Sequence, residues 1–117
     1  MLNDAMQRLA AARSREEWAE AATICEKELG DIPQAATCWR QVIEKEPTRI
    51  DAHDALQRLC AMSGDFTMLA KVLQHRSKIV PPDQQRAVLT ELLAVCRDQL
   101  GDKAAVAAVE ARLAELP

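Results

Sequence analysis

The chain has 117 residues, of which 49% are apolar and 28% are charged, and its formal net charge is −3. This composition is typical of a folded domain and excludes a disordered chain. With 15 basic and 18 acidic residues, the chain has no positive excess to collect phosphates, so nucleic acid and anionic membranes are excluded as expected partners.

A membrane-spanning segment is not expected either. No run approaches the roughly 20 apolar residues that a membrane helix needs. Residues 1–12 carry Asp4, Gln7 and Arg8 where a signal peptide would be apolar. We therefore expect a cytoplasmic protein that does not insert into membranes and whose partner is another protein.

The predicted secondary structure is helical throughout. Three Gly, one Phe and no Tyr stand against many Ala, Leu, Glu, Gln and Arg, which favour helices over strands. An apolar stripe in Leu2, Ala5, Met6 and Leu9 predicts a first helix within residues 1–13. Six further helices of roughly four turns are predicted between breakers at Gly30, Pro47, Gly64, Pro81 and Gly101.

Capping signals predict where several of these helices begin and end. Ser14 and Glu17 have the spacing of a reciprocal capping box, which predicts that the second helix starts directly after Ser14. Asp31 is placed to cap the third helix, and Pro82 to open the first turn of the sixth. The glycines suit helix ends, where a left-handed residue is favoured.

The spacing of the breakers indicates an internal repeat. Gly30 and Gly64 are 34 residues apart, and Gly64 and Gly101 are 37 residues apart. The closing prolines of successive units are separated by 34 and 36 residues. A two-helix unit of this length that occurs three times predicts a solenoid.

The repeated residues resemble the tetratricopeptide repeat family, whose pattern runs Trp-x-x-Leu-Gly-x-x-Tyr, then Ala-x-x-x-Phe and a closing Pro. In the first unit the match falls on Trp18, Ala21, Ala22, Cys25, Ala35, Trp39 and Pro47. In the second it falls on His53, Leu56, Gln57, Cys60, Leu69, Leu73 and Pro81. In the third it falls on Leu89, Leu92, Leu93, Cys96, Ala105, Val109 and Pro117.

The match departs from the family pattern in three ways. Cys replaces Tyr in every unit, Gln57 and Leu93 replace small residues, and units one and three carry an extra residue around the turn. The phrases Glu28-Leu29-Gly30-Asp31 and Gln99-Leu100-Gly101-Asp102 are similar to those of long bacterial proteins built from many such repeats.

The resemblance implies an all-α fold, a right-handed α-solenoid of about three antiparallel helix pairs after an N-terminal helix. It implies a non-catalytic protein-interaction module or scaffold that needs no cofactor. We expect a single domain over residues 1–117, with an N-terminal helix in 1–13 and repeats in 14–47, 48–81 and 82–117.

In this family the first helices of the pairs line a concave groove that holds the partner. Helical spacing along the face beside the packing stripe selects Glu16, Ala19, Thr23, Glu26, Asp51, Asp54, Arg58, Ala61, Ala87, Thr90, Ala94 and Arg97. Small residues alternate with charges, which predicts a groove for a peptide or protein with basic residues. The set has no Lys and no Asn, so the carboxylate clamp of chaperone-binding members is not expected.

A structural role is the alternative that the same residues leave open. These positions are then ordinary solvated faces of a spacer, of a self-associating segment, or of a fragment cut from a longer repeat array. No helix follows the third unit to cover it, which predicts self-association through Leu92, Val109, Leu113 and Leu116.

The cysteines and histidines could suggest a metal or catalytic site, but their placement favours packing. Cys25, Cys60 and Cys96 occupy equivalent positions on the apolar stripe, so they are expected to be reduced and buried. Cys38 lies across the turn from Cys25, which leaves a disulfide or metal pair between them as a weaker alternative. His53 and Cys60 are separated by about 10 Å along one helix, too far for a catalytic dyad.

The two tryptophans, Trp18 and Trp39, fall on the family's aromatic positions, so core packing is expected rather than a binding hot spot. With two His, no Cys-x-x-Cys and no glycine-rich phosphate loop, no enzyme activity, cofactor or metal is expected.

Overall fold

The computed structural model describes residues 2–117, and for Leu2 the backbone alone. Over these residues the chain forms seven α-helices and no strand, which confirms the predicted all-α class. The helices are α1 (Leu2–Ser14), α2 (Trp18–Lys27), α3 (Ile32–Lys45), α4 (Ile50–Ser63), α5 (Phe66–Ile79), α6 (Pro82–Ala94) and α7 (Lys103–Ala114). A π-helical segment, Val95–Leu100, continues α6.

The helices belong to two compact units, which divide between Ser63 and Gly64. In the first unit α1 packs on α2, α2 on α3, and α3 on α4. In the second unit α5 and α7 both pack on α6 and on the π-helical segment that continues it. The boundary between the units falls inside the second predicted repeat, between its two helices.

Three Gly-Asp pairs form turns with the same backbone design. Gly30, Gly64 and Gly101 have φ values of 64°, 75° and 59°, the left-handed conformation expected of them at helix ends. The Asp that follows each Gly caps the next helix, since its carboxylate accepts a hydrogen bond of 3.1 Å from the backbone N–H of Gln34, Met68 or Ala105. The predicted helix-end glycines and the Asp31 cap are therefore confirmed.

The extra residue in units one and three is accommodated by a wider final turn. Cys25 and Cys96 each precede their glycine by five residues, whereas Cys60 precedes Gly64 by four. In both longer cases the Asp after the glycine donates its backbone N–H to the Cys carbonyl, at 2.8 Å for Cys25 and 3.0 Å for Cys96. Before Gly101 the wider turn is a complete π-helical segment, in which hydrogen bonds span five residues.

The predicted capping box at Ser14 and Glu17 is wrong. Ser14 is the last residue of α1, and α2 begins only at Trp18, with Glu17 as its N-cap residue and no side-chain capping bond. The intervening Glu16 adopts the left-handed backbone with φ 57°, so the chain turns within the residues that the capping box would have made helical. Pro82 opens α6 as predicted.

Fully buried alanines are found in every helix of the first unit. Ala12, Ala21, Ala22, Ala35 and Ala52 are all 0% exposed, and every helix of the unit contributes at least one of them. Cores are packed to near-crystalline density, so a larger side chain at these positions would force neighbours out of their rotamers. The first unit also buries Leu56 and Leu59, and the second unit buries Leu73 and Leu89.

Among the described residues, no helix combines the length and the apolar character that a membrane span requires.

The Asp caps give a direct test of the Gly-Asp turns. Replacing Asp102 by Ala should lower the free energy of unfolding by about 1 kcal/mol, because the Ala105 backbone N–H loses its acceptor. Replacing it by Asn, which also caps helices, should recover most of that loss. Urea denaturation followed by circular dichroism measures both, and equal stability of the Ala and Asn variants would contradict the capping role.

Candidate functional site

Eight of the twelve predicted groove residues lie in the first unit, on α2 and α4 and at Glu16 just before α2. Six of the eight are exposed, and Ala19 and Glu26 are half-buried. We call the exposed side of α2 and α4 that these eight residues mark the α2–α4 face. The face also carries three small side chains, those of Ala19, Thr23 and Ala61.

Glu26 and Arg58 join the two helices of this face. Arg58 donates hydrogen bonds from both terminal nitrogens to the two carboxylate oxygens of Glu26, one of them at 3.0 Å. The guanidinium holds the pKa of the Glu26 carboxyl below its usual range, and the carboxylate raises the pKa of Arg58 in turn. Two charges predicted to face a ligand therefore neutralise one another.

Two further acidic residues of the face are also paired. Lys45 at the end of α3 donates to Glu16 at 3.0 Å. Arg49 donates to Asp51 at 2.8 Å and to Glu46 at 3.0 Å, and the bond from Arg49 lowers the pKa of Asp51. These pairs are solvent-exposed, so they hold side chains in place more than they stabilise the fold.

The other four predicted groove residues belong to the second unit. Ala87, Thr90 and Arg97 are exposed, and Ala94 is half-buried. Thr90 donates to the Arg86 carbonyl of its own helix at 2.7 Å, and Arg97 donates to the adjacent Asp98 at 3.1 Å. Both side chains thus bond within their own segment.

The four residues predicted to self-associate all belong to the second unit, and two of them are buried in its core. Leu92 and Val109 are only 3% and 5% exposed, whereas Leu113 and Leu116 are half-buried. The first two therefore pack inside the folded chain, and a second molecule would meet mainly the other two. Self-association itself stays a prediction.

The rings expected to pack do so. Trp39 is buried and Trp18 half-buried, and neither indole Nε1 has a hydrogen-bond partner among the described residues. His53 is fully buried, and its Nε2 lies 2.8 Å from the Pro47 carbonyl oxygen, so it fastens the start of α4 to the preceding turn. Trp18 also lines a shallow pocket of about 180 Å³ together with Lys45 and Arg49.

All four cysteines are buried, and no disulfide forms between them within the described residues. The thiols of Cys25 and Cys38 are in hydrogen-bond contact, so these two are neighbours as the sequence predicted. Burial, reinforced by Cys38, raises the pKa of the Cys25 thiol to about 11, and burial also raises the pKa of Cys38 and Cys96. The neutral thiol is a poor nucleophile and a poor metal ligand.

Sequence reasoning missed two grooves of related design. The N-terminal groove lies between α1 and the start of α3, and its lining residues are Met6, Leu9, Ala10, Arg13, Leu29, Asp31 and Gln34. The C-terminal groove lies between α5 and α7, and its lining residues are Thr67, Ala70, Lys71, Gln74, Leu92, Cys96, Leu100, Asp102, Ala105, Ala108, Val109 and Arg112. The Leu-Gly-Asp sequence of the wide turns could have indicated both grooves. Leu29 and Asp31 line the N-terminal groove, and Leu100 and Asp102 line the C-terminal groove.

No family model, curated protein or solved structure matches the chain. The tetratricopeptide resemblance therefore rests on the repeated residues alone. The described residues also contain no grouping of three or more His, Cys, Asp or Glu that could hold a metal ion.

The Glu26–Arg58 pair can be measured by a double-mutant cycle. With Glu26→Gln, Arg58→Gln and the double variant, we expect a coupling of about 0.5 kcal/mol at neutral pH, which salt reduces. Because the folded-state pKa of Glu26 is lowered, the coupling should be present above pH 4.5 and disappear as the pH falls below it. A coupling of zero at low salt would contradict the pairing.

The buried thiols give a second measurable consequence. Native thiols should react with a disulfide reagent on the order of 100-fold more slowly than those of the unfolded chain, because labelling requires opening of the core. The raised pKa of Cys25 stabilises the fold below pH 9, and this contribution is lost as the pH rises from 9 towards 11.

Thermal melts between pH 8 and 11 test the sign of this dependence. The double variant Cys25→Ala, Cys38→Ala should lose less stability over that range than the native chain does. Rapid native labelling of Cys25 or Cys96 would overturn the packing account.

Proposed function

We propose that this protein is a non-catalytic interaction module of the tetratricopeptide type, a right-handed solenoid of helix pairs that binds a peptide or partner protein. The three Gly-Asp turns support this proposal, since the same cap and the same left-handed glycine recur at the repeat spacing. Stacked helix pairs create extended surfaces of the kind that repeat proteins use for binding.

The single observation that carries the binding function is the α2–α4 face. Two helices that are far apart in sequence present small and charged side chains on one surface, and the Glu26–Arg58 pair ties them together. A bound peptide in an extended conformation needs a surface of this kind, with small side chains beneath it and polar groups on both sides. The surplus of acidic residues favours a partner segment that carries Lys or Arg.

The same proposal makes the protein cytoplasmic, as a unit of a bacterial repeat protein. Its buried thiols would remain reduced in that compartment. This assignment can fail while the binding function stands, because the α2–α4 face does not depend on the compartment.

A structural role is the second candidate, and the pairing of the acidic residues favours it. Glu16, Glu26 and Asp51 each bond to a basic side chain of the chain itself. A ligand that competes for these carboxylates must first break an existing ion pair, which reduces the affinity it gains. In a structural spacer these ion pairs can stay intact, because no ligand has to displace them.

Charge reversal of Asp51 and Asp54 to Lys distinguishes the two candidates. In the binding role, a fluorescent peptide rich in Lys should bind the variant about tenfold more weakly, since two attractive contacts become repulsive. Helicity and melting temperature should change little, because surface substitutions usually alter stability by less than about 0.5 kcal/mol.

A control variant in the second unit, with Asp83 and Asp98 changed to Lys, carries the same change in net charge. It should bind the peptide as the native chain does. Equal loss in both variants would indicate nonspecific attraction, and no binding by the native chain would favour the structural role.

A further inference from the structure

The C-terminal groove has two helical walls and an apolar floor. On α5 its lining residues are spaced i, i+3, i+4 and i+7, starting at Thr67, and on α7 the same spacing starts at Ala105. Seven residues of helix rise about 10 Å, which is two turns. A groove of this length matches the i, i+3 and i+7 contacts that a docked amphipathic helix makes.

The floor of this groove is formed by α6 and the π-helical segment that continues it; Leu92 and Cys96 are buried there, and Leu100 is the exposed apolar side chain. Leu92, Cys96 and Leu100 follow one another at intervals of four residues. In an α-helix four residues are slightly more than one turn, so each successive side chain would lie further around the helix axis in the same direction. A π-helix has more residues in each turn, so four residues are slightly less than one turn and the next side chain lies back towards the starting face. Leu100 therefore stays in the groove lining and is 37% exposed there.

The walls of the groove carry two basic side chains with no partner. Lys71 on α5 is exposed and Arg112 on α7 is half-buried, and across the part of the chain that is described neither forms an ion pair or a side-chain hydrogen bond. The acidic lining residue Asp102 is already bonded to the backbone of α7. The groove thus offers positive charge beside an apolar floor.

The N-terminal groove differs in one respect. There Arg13 of α1 donates to Gln34 of α3 at 3.2 Å, so a side-chain bond crosses between the walls. Its neighbour Arg8 is also engaged, by Asp4 and Glu28. Of two grooves with related linings, one is bridged by its own side chains, and the other keeps its basic residues available.

We propose that the C-terminal groove binds an amphipathic helix of another protein. Its apolar stripe contacts Leu100 and the wall alanines Ala105 and Ala108, and its flanking carboxylates pair with Lys71 and Arg112. A second copy of this chain fits less well. Its most exposed apolar helical residues in the described structure are Met6 and Met62, and both have Arg neighbours on their own helix, Arg8 and Arg58. The carboxylates bonded to those arginines, Asp4, Glu28 and Glu26, are already paired and so are not available to Lys71 and Arg112.

The test uses the full chain and two labelled helical peptides. Both carry leucines at i, i+3 and i+7, flanked by glutamates in one peptide and by lysines in the other. The glutamate peptide should bind at least tenfold more tightly by fluorescence anisotropy. The variant K71E/R112E should weaken the glutamate peptide about tenfold and strengthen the lysine peptide.

Two controls keep the result interpretable. Arg86→Glu reverses an exposed charge on α6 that is not part of the groove lining, and it should leave both affinities within about twofold. K71E alone alters an exposed, unpaired side chain and should weaken the glutamate peptide about threefold, so a poorly folded double variant does not remove the test.

Three results would overturn the proposal. One is equal affinity of the two peptides, and another is equal affinity of the native chain and K71E. The third is concentration-dependent dimerisation abolished by K71E without peptide binding, which would make a second copy the occupant. The proposal goes beyond the function assigned to the α2–α4 face, which favours basic rather than acidic segments, so either can fail alone.

Discussion

The reversal of the chain at each wide Gly-Asp turn is the constraint on which the packing within each unit depends. A left-handed glycine ends one helix, and the carboxylate of the next residue begins the following one, so little chain remains between them. Consecutive helices are therefore forced side by side. In the first unit the side chains buried between the helices include Ala21 and Ala35, and in the second unit they include Leu89 and Leu92.

Local signals of this kind could be predicted from the sequence, because each depends on a few adjacent residues. The left-handed glycines, the Asp31 cap and the burial of equivalent cysteines all follow from backbone chemistry and helical spacing. The start of α2 could not be predicted, because Ser14 and Glu17 have the letters of a capping box and yet Glu16 between them turns left-handed. The backbone N–H groups of Glu16 and Glu17 donate back to the carbonyls of Arg13 and Ala12, so these residues close α1 instead of opening α2.

The charges on the α2–α4 face show the same limit more sharply. Periodicity placed Glu26 and Arg58 on the outer sides of their helices, and both are indeed accessible to some degree. Their mutual bond depends on how α2 and α4 lie against each other, which no pattern within one helix contains. Likewise, Leu92 and Val109 have the helical spacing expected of an exposed apolar face, but both are buried within the second unit. Ion pairing and burial depend on how two helices pack against each other, whereas sequence periodicity describes one helix at a time.

The one-residue difference between the Cys-Gly spacings shows how much length a turn of this design can absorb. Insertion of a residue into a helix normally rotates every position beyond it by about 100°, and so moves the apolar stripe away from the buried side. Here the glycine after the insertion still reaches its left-handed position and the Asp still caps, because the widened turn absorbs the added length locally. Units of unequal length can thus share one turn design, in which the left-handed glycine and the Asp cap are both kept. What the insertion does alter is the lining beside the turn, so a single added codon could change a groove while leaving the repeat intact.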